Sequence, residues 1–219
     1  MSKYCQGYMG TQIGKLGPAV GARWKGRDTM RAYQKFVANP KTEEQQIQRA
    51  RFTRMVELST AYTYGLRLGL GVMAKYLKMT KHNVFVKKNF AQVTAITPDA
   101  VEVNYSGIKI AIGDLPEATY GAVDFGTTSH LTIEVAVEGN VSPSALSEDK
   151  VYLFAYCPDL NQGCLGSPVL RSAAKVSVKV PSSWDGMEVH LYAFAMGGKK
   201  GVNLGKVSRS AYCGTGEVS

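Results

Sequence analysis

The sequence lacks long hydrophobic runs and has few residues of the kinds that bind metals. No apolar run in its 219 residues approaches the roughly 18 that a membrane-spanning helix needs. The first ten residues, MSKYCQGYMG, contain no apolar stretch typical of a secretory signal, so we expect none. The four cysteines and three histidines do not have zinc-site spacing. We therefore expect reduced, structural thiols, no metal and no other cofactor.

Sequence motifs of the common enzyme classes are also missing. The chain contains no P-loop, no G-x-S-x-G nucleophile elbow, no H-E-x-x-H and no dinucleotide-binding glycine motif. Residues 197–201, GGKKG, have the composition of a phosphate-binding loop without its spacing. They lie between two predicted strands, which favours a hairpin turn. These absences predict a protein that is not an enzyme.

Charge is distributed unevenly along the chain, whose formal net charge is +9. Residues 1–90 hold 17 Lys and Arg against 4 Asp and Glu, whereas residues 91–219 hold 9 against 13. Such asymmetry is typical of proteins in which one part contacts a polyanion. The alternative is a solvated basic surface that serves solubility alone.

Residues 1–40 are interpreted as a basic, glycine-rich arm. Six glycines between positions 7 and 26 follow one another at intervals of three to five residues. Because each glycine inside a helix costs about 1 kcal/mol relative to alanine, the pattern favours an extended or looped arm. Basic residues interleaved with Trp and Tyr suit phosphate contact and base stacking. A clasp on neighbouring subunits and a passive tail remain open as alternatives.

Residues 41–92 are predicted to form a helical segment. Asn39 and Pro40 give a turn signal, and Thr42 with Gln45 forms a capping box at a helix start. Glycines at positions 65, 69 and 71 predict a break after this helix, followed by a second helical piece at 72–78. Residues 82–92 predict a third short helix, although a strand is an open alternative. The face that the first helix is predicted to bury contains Phe52, Met55, Val56 and Ser59.

Residues 93–219 are predicted to form an antiparallel β-sandwich of immunoglobulin-like architecture. Alternating segments separated by Gly, Pro, Asn and Asp occur at 101–105, 108–112, 130–139, 150–157, 168–170, 174–180, 187–195 and 207–213. Ser106 and Gly107 predict a tight hairpin between the first two. The Cys…Trp…Cys order of antibody domains is absent, so the expected likeness is one of architecture only. The predicted fold class is α+β.

The Gly-rich basic arm is followed by Asn-Pro-Lys-Thr at 39–42, a Gln-rich helix start and Arg-x-x-Phe at 49–52. This pattern, of which Asn-Pro-Lys-Thr is the most specific part, resembles a family of small uncharacterised proteins of Bacteroidetes genomes and bacteriophages. Similar patterns occur at 150–156, at 189–192 and, in a looser form, at 208–214. The resemblance covers most of the chain and carries no established activity. It implies a phage or prophage association and a layout of helices followed by a sandwich.

We expect a non-enzymatic structural protein of a bacteriophage virion, located in the capsid, neck or tail and assembled in the bacterial cytoplasm. Its expected partners are neighbouring copies or other virion proteins, together with DNA backbone bound independently of sequence. An adhesion module of the tail tip and a free DNA-binding accessory protein are the alternatives. The residues predicted to contact nucleic acid or neighbouring subunits are Arg23, Trp24, Lys25, Arg27, Arg31, Lys35, Arg49, Arg51 and Arg54.

Overall fold

A computed structural model describes residues 3–4, 12–36, 38–126, 130–138, 144–198 and 203–219. The chain divides into two compact units, residues 1–45 and residues 46–219. No helix in the part of the chain that the structure describes is both long enough and apolar enough to cross a membrane.

The N-terminal unit contains a four-stranded antiparallel sheet. Its strands are β1 (Lys3–Tyr4), β2 (Gln12–Leu16), β3 (Ala19–Trp24) and β4 (Arg27–Ala32), and they lie side by side in chain order. Lys25 and Gly26 join β3 to β4, and both have positive φ, at 47° and 77°. Two consecutive residues with positive φ match the right-handed twist of a tight hairpin. The sequence predicts extended or looped backbone here, and the structure shows paired strands.

Four helices follow: α1 (Glu43–Ala61), α2 (Thr63–Gly69), α3 (Gly71–Tyr76) and α4 (Lys81–Asn89). The predicted N-cap is present, because the Thr42 hydroxyl accepts a hydrogen bond from the Gln45 backbone N–H at 3.4 Å. Thr80 caps α4 in the same way, accepting from the Asn83 N–H at 3.1 Å. Residues 82–92 are therefore mainly helical rather than a strand.

The predicted break is present at Leu70, between α2 and α3, and the second helical piece occupies Gly71–Tyr76 where 72–78 was predicted. Two of the glycines that predicted the break, Gly65 and Gly69, lie inside α2. A side chain at Gly69 would place its Cβ 2.3 Å from the Ile110 carbonyl oxygen and 2.7 Å from the Ala111 Cβ. Gly65 faces the Phe154 ring in the same manner, at 3.2 Å. Glycine is therefore used here for close packing of a helix against another segment.

The buried face of α1 also differs from the predicted one. Met55, Leu58 and Ser59 are buried, and Tyr62 continues the same stripe just after the helix. Phe52 and Val56, which were predicted to be buried, keep 54% and 42% of their surface exposed. The stripe i, i+3, i+4, i+7 is present, but it begins at Met55, one turn later than predicted.

The first strands of the C-terminal region are β5 (Val93–Ala95) and β6 (Val101–Val103), which pair with each other. The predicted hairpin at 106–107 is wrong: Tyr105–Gly107 form a 3-10 turn, and residues 108–112 form no strand. Side chains, rather than a neighbouring strand, form hydrogen bonds with the backbone of residues 109 and 110. The Asn89 amide oxygen accepts from the Lys109 N–H at 2.7 Å, and the Ser210 hydroxyl accepts from the Ile110 N–H at 3.0 Å.

Eight further strands form two antiparallel sheets. They are β7 (Thr119–Phe125), β8 (Thr132–Glu138), β9 (Lys150–Cys157), β10 (Gln162–Leu165), β11 (Val169–Leu170), β12 (Lys175–Lys179), β13 (Glu188–Met196) and β14 (Ala211–Glu217). One sheet has the order β12-β8-β7, and the other has the order β10-β9-β13-β14 with β11 also on β9. This order is that of an immunoglobulin-like sandwich. The α+β fold class is thereby confirmed, whereas β7 and β10 are strands that the sequence did not predict.

The two sheets enclose one core, and the helices cover the outer face of the larger sheet to form a second. Leu153 of β9 and Leu191 of β13 are buried with Ile133 and Trp184 between the sheets. Phe154 and Tyr192, which point to the opposite face, are buried among helical side chains. Because β9 and β13 are covered on both faces, their sequences read as nearly continuous apolar runs.

Candidate nucleic-acid interface

The register of the N-terminal strands collects basic side chains on one face. Arg31 of β4 pairs with Val20 of β3, and Val20 pairs in turn with Lys15 of β2. Trp24 pairs with Arg27 near the hairpin tip. Because alternate residues of a strand share a face, Lys15, Arg27, Arg31 and Trp24 lie on the same side of the sheet. We call this side the basic face.

Aromatic side chains accompany these cations. The Trp24 side chain is 60% exposed at the end of β3. The Lys15 ammonium lies over the Tyr33 ring, 3.8 Å from its centroid, and Tyr33 is itself 44% exposed. An exposed indole beside guanidinium groups offers both a stacking surface and hydrogen-bond donors. The basic face therefore has the two components of a single-strand or backbone contact.

The acidic residue of this sheet lies on the opposite side. Asp28 pairs with Arg23 across β3 and β4, and their side chains form an ion pair at 3.4 Å. Asp28 is the sole Asp or Glu in residues 1–42 of the sequence. The basic face consequently carries positive charge without a neighbouring carboxylate from its own strands. Arg23 is thus partly neutralised by Asp28.

The remaining predicted contacts of the N-terminal unit are exposed. Lys25 occupies the hairpin tip, and Lys35 follows β4. Lys25 and Arg27 also interact with other parts of the chain, whereas Arg31 and Lys35 make no ion pair with any residue that the structure describes. The prediction that these residues contact nucleic acid or other subunits stays a prediction.

The three predicted arginines of α1 lie in the C-terminal unit and have different environments. Arg49 is exposed. Arg51 donates from Nε to the Val93 carbonyl at 2.8 Å, and its guanidinium lies 4.7 Å from the centroid of the Phe90 ring. Arg54 donates to the Glu57 carboxylate at 3.2 Å and to the Tyr105 hydroxyl at 3.4 Å. Two of the three therefore hold the fold together, which the sequence could not reveal.

Lys15 is the interface candidate that the sequence analysis missed, whereas Tyr33 is one of the interleaved aromatics that it noted. The sequence pattern that points to Lys15 is the alternation of side chains along β2, β3 and β4, which aligns Lys15 with Arg31 once the strands are paired. Reading residues 12–32 as three short strands with turns at Gly17 and Gly26 would have found it.

A second feature, in the C-terminal unit, is an apolar groove between α1 and α4. It has a volume of about 590 Å³, and the exposed side chains of Phe52 and Val56 form one wall. The opposite wall comes from Met79 and Val86, with Lys87 at the rim. Phe52 and Val56, which were predicted to be buried, therefore line an open groove.

Titratable side chains elsewhere mostly make contacts that stabilise the fold. His190 stacks on the Tyr105 ring at a centroid distance of 4.2 Å, and its Nδ1 lies 2.9 Å from the Tyr212 hydroxyl. Burial lowers the pKa of His190, and burial raises the pKa of the Cys213 thiol to about 12. Among the residues that the structure describes, no group of three His, Cys, Asp or Glu side chains could hold a metal ion.

The sequence profile of a family of unknown function, DUF6266, matches residues 10–214. Because the match spans most of its length, the chain belongs to this family. No curated protein matches the chain. No solved structure matches it either.

Proposed function

We propose that this member of a family of unknown function is a non-enzymatic structural protein that binds nucleic-acid backbone through the basic face. The observation that carries the proposal is the register that aligns Lys15, Arg27 and Arg31 beside an exposed Trp24, with the nearby carboxylate on the opposite side. The sequence contains no base-reading motif, so binding should be independent of sequence.

Electrostatics sets the expected strength and its salt dependence. Each phosphate that a Lys or Arg neutralises releases counterions and contributes about −0.9 to the slope of log K against log salt. The five cations Lys15, Lys25, Arg27, Arg31 and Lys35 would together give a slope near −4.5 on duplex DNA. Stacking on Trp24 would add affinity for single strands that salt does not remove.

The test is fluorescence anisotropy of labelled oligonucleotides, single-stranded and duplex, across a salt series. The double variant Arg27→Ser/Arg31→Ser should reduce the duplex slope by about 2 and weaken binding at low salt at least tenfold. The matched control is Lys179→Ser/Lys206→Ser, which removes two exposed cations from the sandwich region. Equal binding by the two double variants would show that the basic face is not the interface.

A second candidate function, assembly with further copies of this chain, is favoured by the apolar groove. Residues 46–112, which supply the groove, hold ten Lys and Arg against three Asp and Glu, whereas residues 113–219 hold eight against eleven. The helical region of one copy and the sandwich of another therefore carry net charges of opposite sign, which favours their association. A contact of this kind joins two different surfaces, so it would build rings or filaments rather than a closed dimer.

Sedimentation velocity at several protein and salt concentrations tests the assembly. Phe52→Asp places a charge in the groove wall and should abolish association. Tyr76→Asp, which alters an 82% exposed aromatic on α3 outside the groove, is the matched control and should retain it. A monomeric wild-type chain at low salt and high concentration would exclude this candidate.

The setting that the family resemblance implies is a bacteriophage particle. Either contact fits a component that is present in many copies beside a packaged genome. Antibody detection of the chain in particles purified by density gradient tests this setting. Recovery only in the soluble fraction of the cell would instead indicate a free DNA-binding protein.

A further inference from the structure

A polar crevice in the C-terminal unit, remote in sequence from the basic face, brings together three cations from three chain segments. Lys88 comes from the last turn of α4, Lys109 from the irregular segment after the 3-10 turn, and Arg209 from the segment before β14. The crevice has a volume of about 400 Å³. That size is within the range of small-molecule sites.

The three segments are locked to one another by buried or partly buried hydrogen bonds. Asn89, fully buried beside Lys88, accepts from the Lys109 N–H at 2.7 Å and donates to the Lys109 carbonyl at 3.0 Å. Ser210, beside Arg209, accepts from the Ile110 N–H at 3.0 Å. The backbones that carry the three cations are therefore fixed in place before any ligand binds.

The remaining wall is held by a buried arginine. Arg171 is fully buried and donates to the carbonyls of Pro116 and Glu117, at 2.9 and 2.6 Å. These bonds position Glu117 at the edge of the crevice. Asp114 lines an adjoining depression that shares Glu117 and Arg209 with the crevice. Among the residues that the structure describes, the Glu117 carboxylate is the one acidic group that lines the crevice itself.

The cations of the crevice outnumber its carboxylate and are available to a ligand. Lys88, Lys109 and Arg209 make no ion pair with any residue in the described ranges. The Ser210 hydroxyl accepts one hydrogen bond, and within the same ranges its own proton has no acceptor. Three cations against one carboxylate leave a charge of +2, and a phosphate monoester carries about −1.5 to −2 near pH 7.

We propose that this crevice binds a phosphate monoester, with the Arg209 guanidinium and the Lys109 ammonium donating to the phosphate oxygens. Arg209 offers the planar donor pair that phosphate geometry prefers, and Lys88 adds a point charge. The Ser210 hydroxyl supplies a neutral donor, and Glu117 accepts from a hydroxyl group of the ligand. The site is independent of the basic face and would be present in a variant that no longer binds DNA.

Isothermal titration calorimetry with the full chain tests the site, with inorganic phosphate, adenosine 5′-monophosphate and adenosine as probes. Phosphate and the monophosphate should bind with one site per chain, and adenosine should not bind. Arg209→Gln and Lys109→Gln should each weaken phosphate binding at least tenfold, while Lys179→Gln in the sandwich leaves it unchanged. No saturable phosphate binding, or equal binding by all three variants, would overturn the proposal.

A second arm separates a small monoester from nucleic-acid backbone. The background is Arg27→Ser/Arg31→Ser, and the probes are adenosine 5′-monophosphate and an oligonucleotide without terminal phosphates. A monoester site should retain the mononucleotide and ignore the oligonucleotide. Binding of the oligonucleotide that Arg209→Gln abolishes would overturn the proposal, since the crevice would then be a continuation of a backbone interface.

Discussion

The Tyr62 hydroxyl donates a hydrogen bond to the Tyr192 hydroxyl at 3.0 Å and thereby joins the helices to the centre of the larger sheet. Tyr192 passes the bond on, donating to the Tyr105 carbonyl at 2.8 Å. Burial raises the pKa of both phenols well above the usual range, so both stay protonated donors. The Tyr192 hydroxyl therefore takes part in two hydrogen bonds, whereas the Tyr62 hydroxyl takes part in one.

Removing the second hydroxyl should therefore cost more than removing the first. In Tyr192→Phe, the buried Tyr62 hydroxyl and the Tyr105 carbonyl both lose their partner, and we expect a loss of about 2–3 kcal/mol in unfolding free energy. In Tyr62→Phe, the bond from Tyr192 to Tyr105 survives, and we expect a loss of about 1 kcal/mol. Urea unfolding monitored by circular dichroism measures both. Equal losses would contradict the donor order.

Most strands of the C-terminal sandwich could be predicted because each has a strand pattern that is visible within a short stretch of sequence. Residues 150–157 and 187–195 were predicted as strands, and β9 and β13 occupy Lys150–Cys157 and Glu188–Met196. Residues 108–112 have an equally good strand pattern but form none. Their backbone is instead bound by Asn89 and Ser210, 20 and 100 residues away from the groups they bind. No pattern within a window of ten residues contains that information.

The sequence was enough to predict which kinds of residue form the candidate interface, but not how those residues are arranged in space. Arg27 and Arg31 follow from a basic stretch with interleaved aromatics, whereas the placement of Lys15 requires the strand register. Arg51 illustrates the opposite error. Its charge and helical position suggest a surface contact, yet it is bound to Val93, 42 residues away. Local charge therefore identifies candidates, and tertiary pairing decides which of them are available.

Arg51 and Arg31 should consequently respond differently to the same substitution. Arg51→Gln should lower the unfolding free energy by about 1–2 kcal/mol, because its hydrogen bond to the Val93 carbonyl and its contact with the Phe90 ring are lost. Arg31→Gln, at an exposed site, should change stability by less than about 0.5 kcal/mol. It should instead reduce the salt slope of DNA binding by about 1.

Urea unfolding and anisotropy titration of the two variants separate these effects. The expected pattern is a stability loss without a slope change for Arg51→Gln, and the reverse for Arg31→Gln. A slope change in a folded Arg51→Gln protein would place α1 in the nucleic-acid interface.

The helix glycines allow a matched test of close packing. Gly69→Ala would bring its Cβ to 2.3 Å from the Ile110 carbonyl oxygen, so the segments must separate and we expect a loss of about 1–3 kcal/mol. Gly71→Ala, at the start of α3, meets nothing within 4 Å and should be neutral or stabilising by up to about 1 kcal/mol. Thermal unfolding should therefore move in opposite directions. A stabilising Gly69→Ala would show that α2 does not approach residues 110–111 this closely.

His190 should make stability depend on pH near neutrality. It is 7% exposed and lies against Tyr105 and Tyr212, with Glu188 the nearby carboxylate that partly offsets the effect of burial. Because burial lowers its pKa, the unfolded chain binds a proton at a higher pH than the folded chain does. Folding is thus favoured fully above about pH 6.5, and this contribution is lost as the pH falls from there toward the folded pKa.

Urea unfolding between pH 5.5 and 7.5 measures the effect against His190→Asn, whose amide can still reach the Tyr212 hydroxyl. The wild-type free energy of unfolding should fall more steeply below pH 6.5 than that of the variant, by at most about 1.4 kcal/mol for each pH unit. Parallel curves would mean that His190 is protonated equally in both states, and that its stack on Tyr105 accommodates the imidazolium. The sign distinguishes this group from a histidine held by a carboxylate, which would stabilise the fold on acidification.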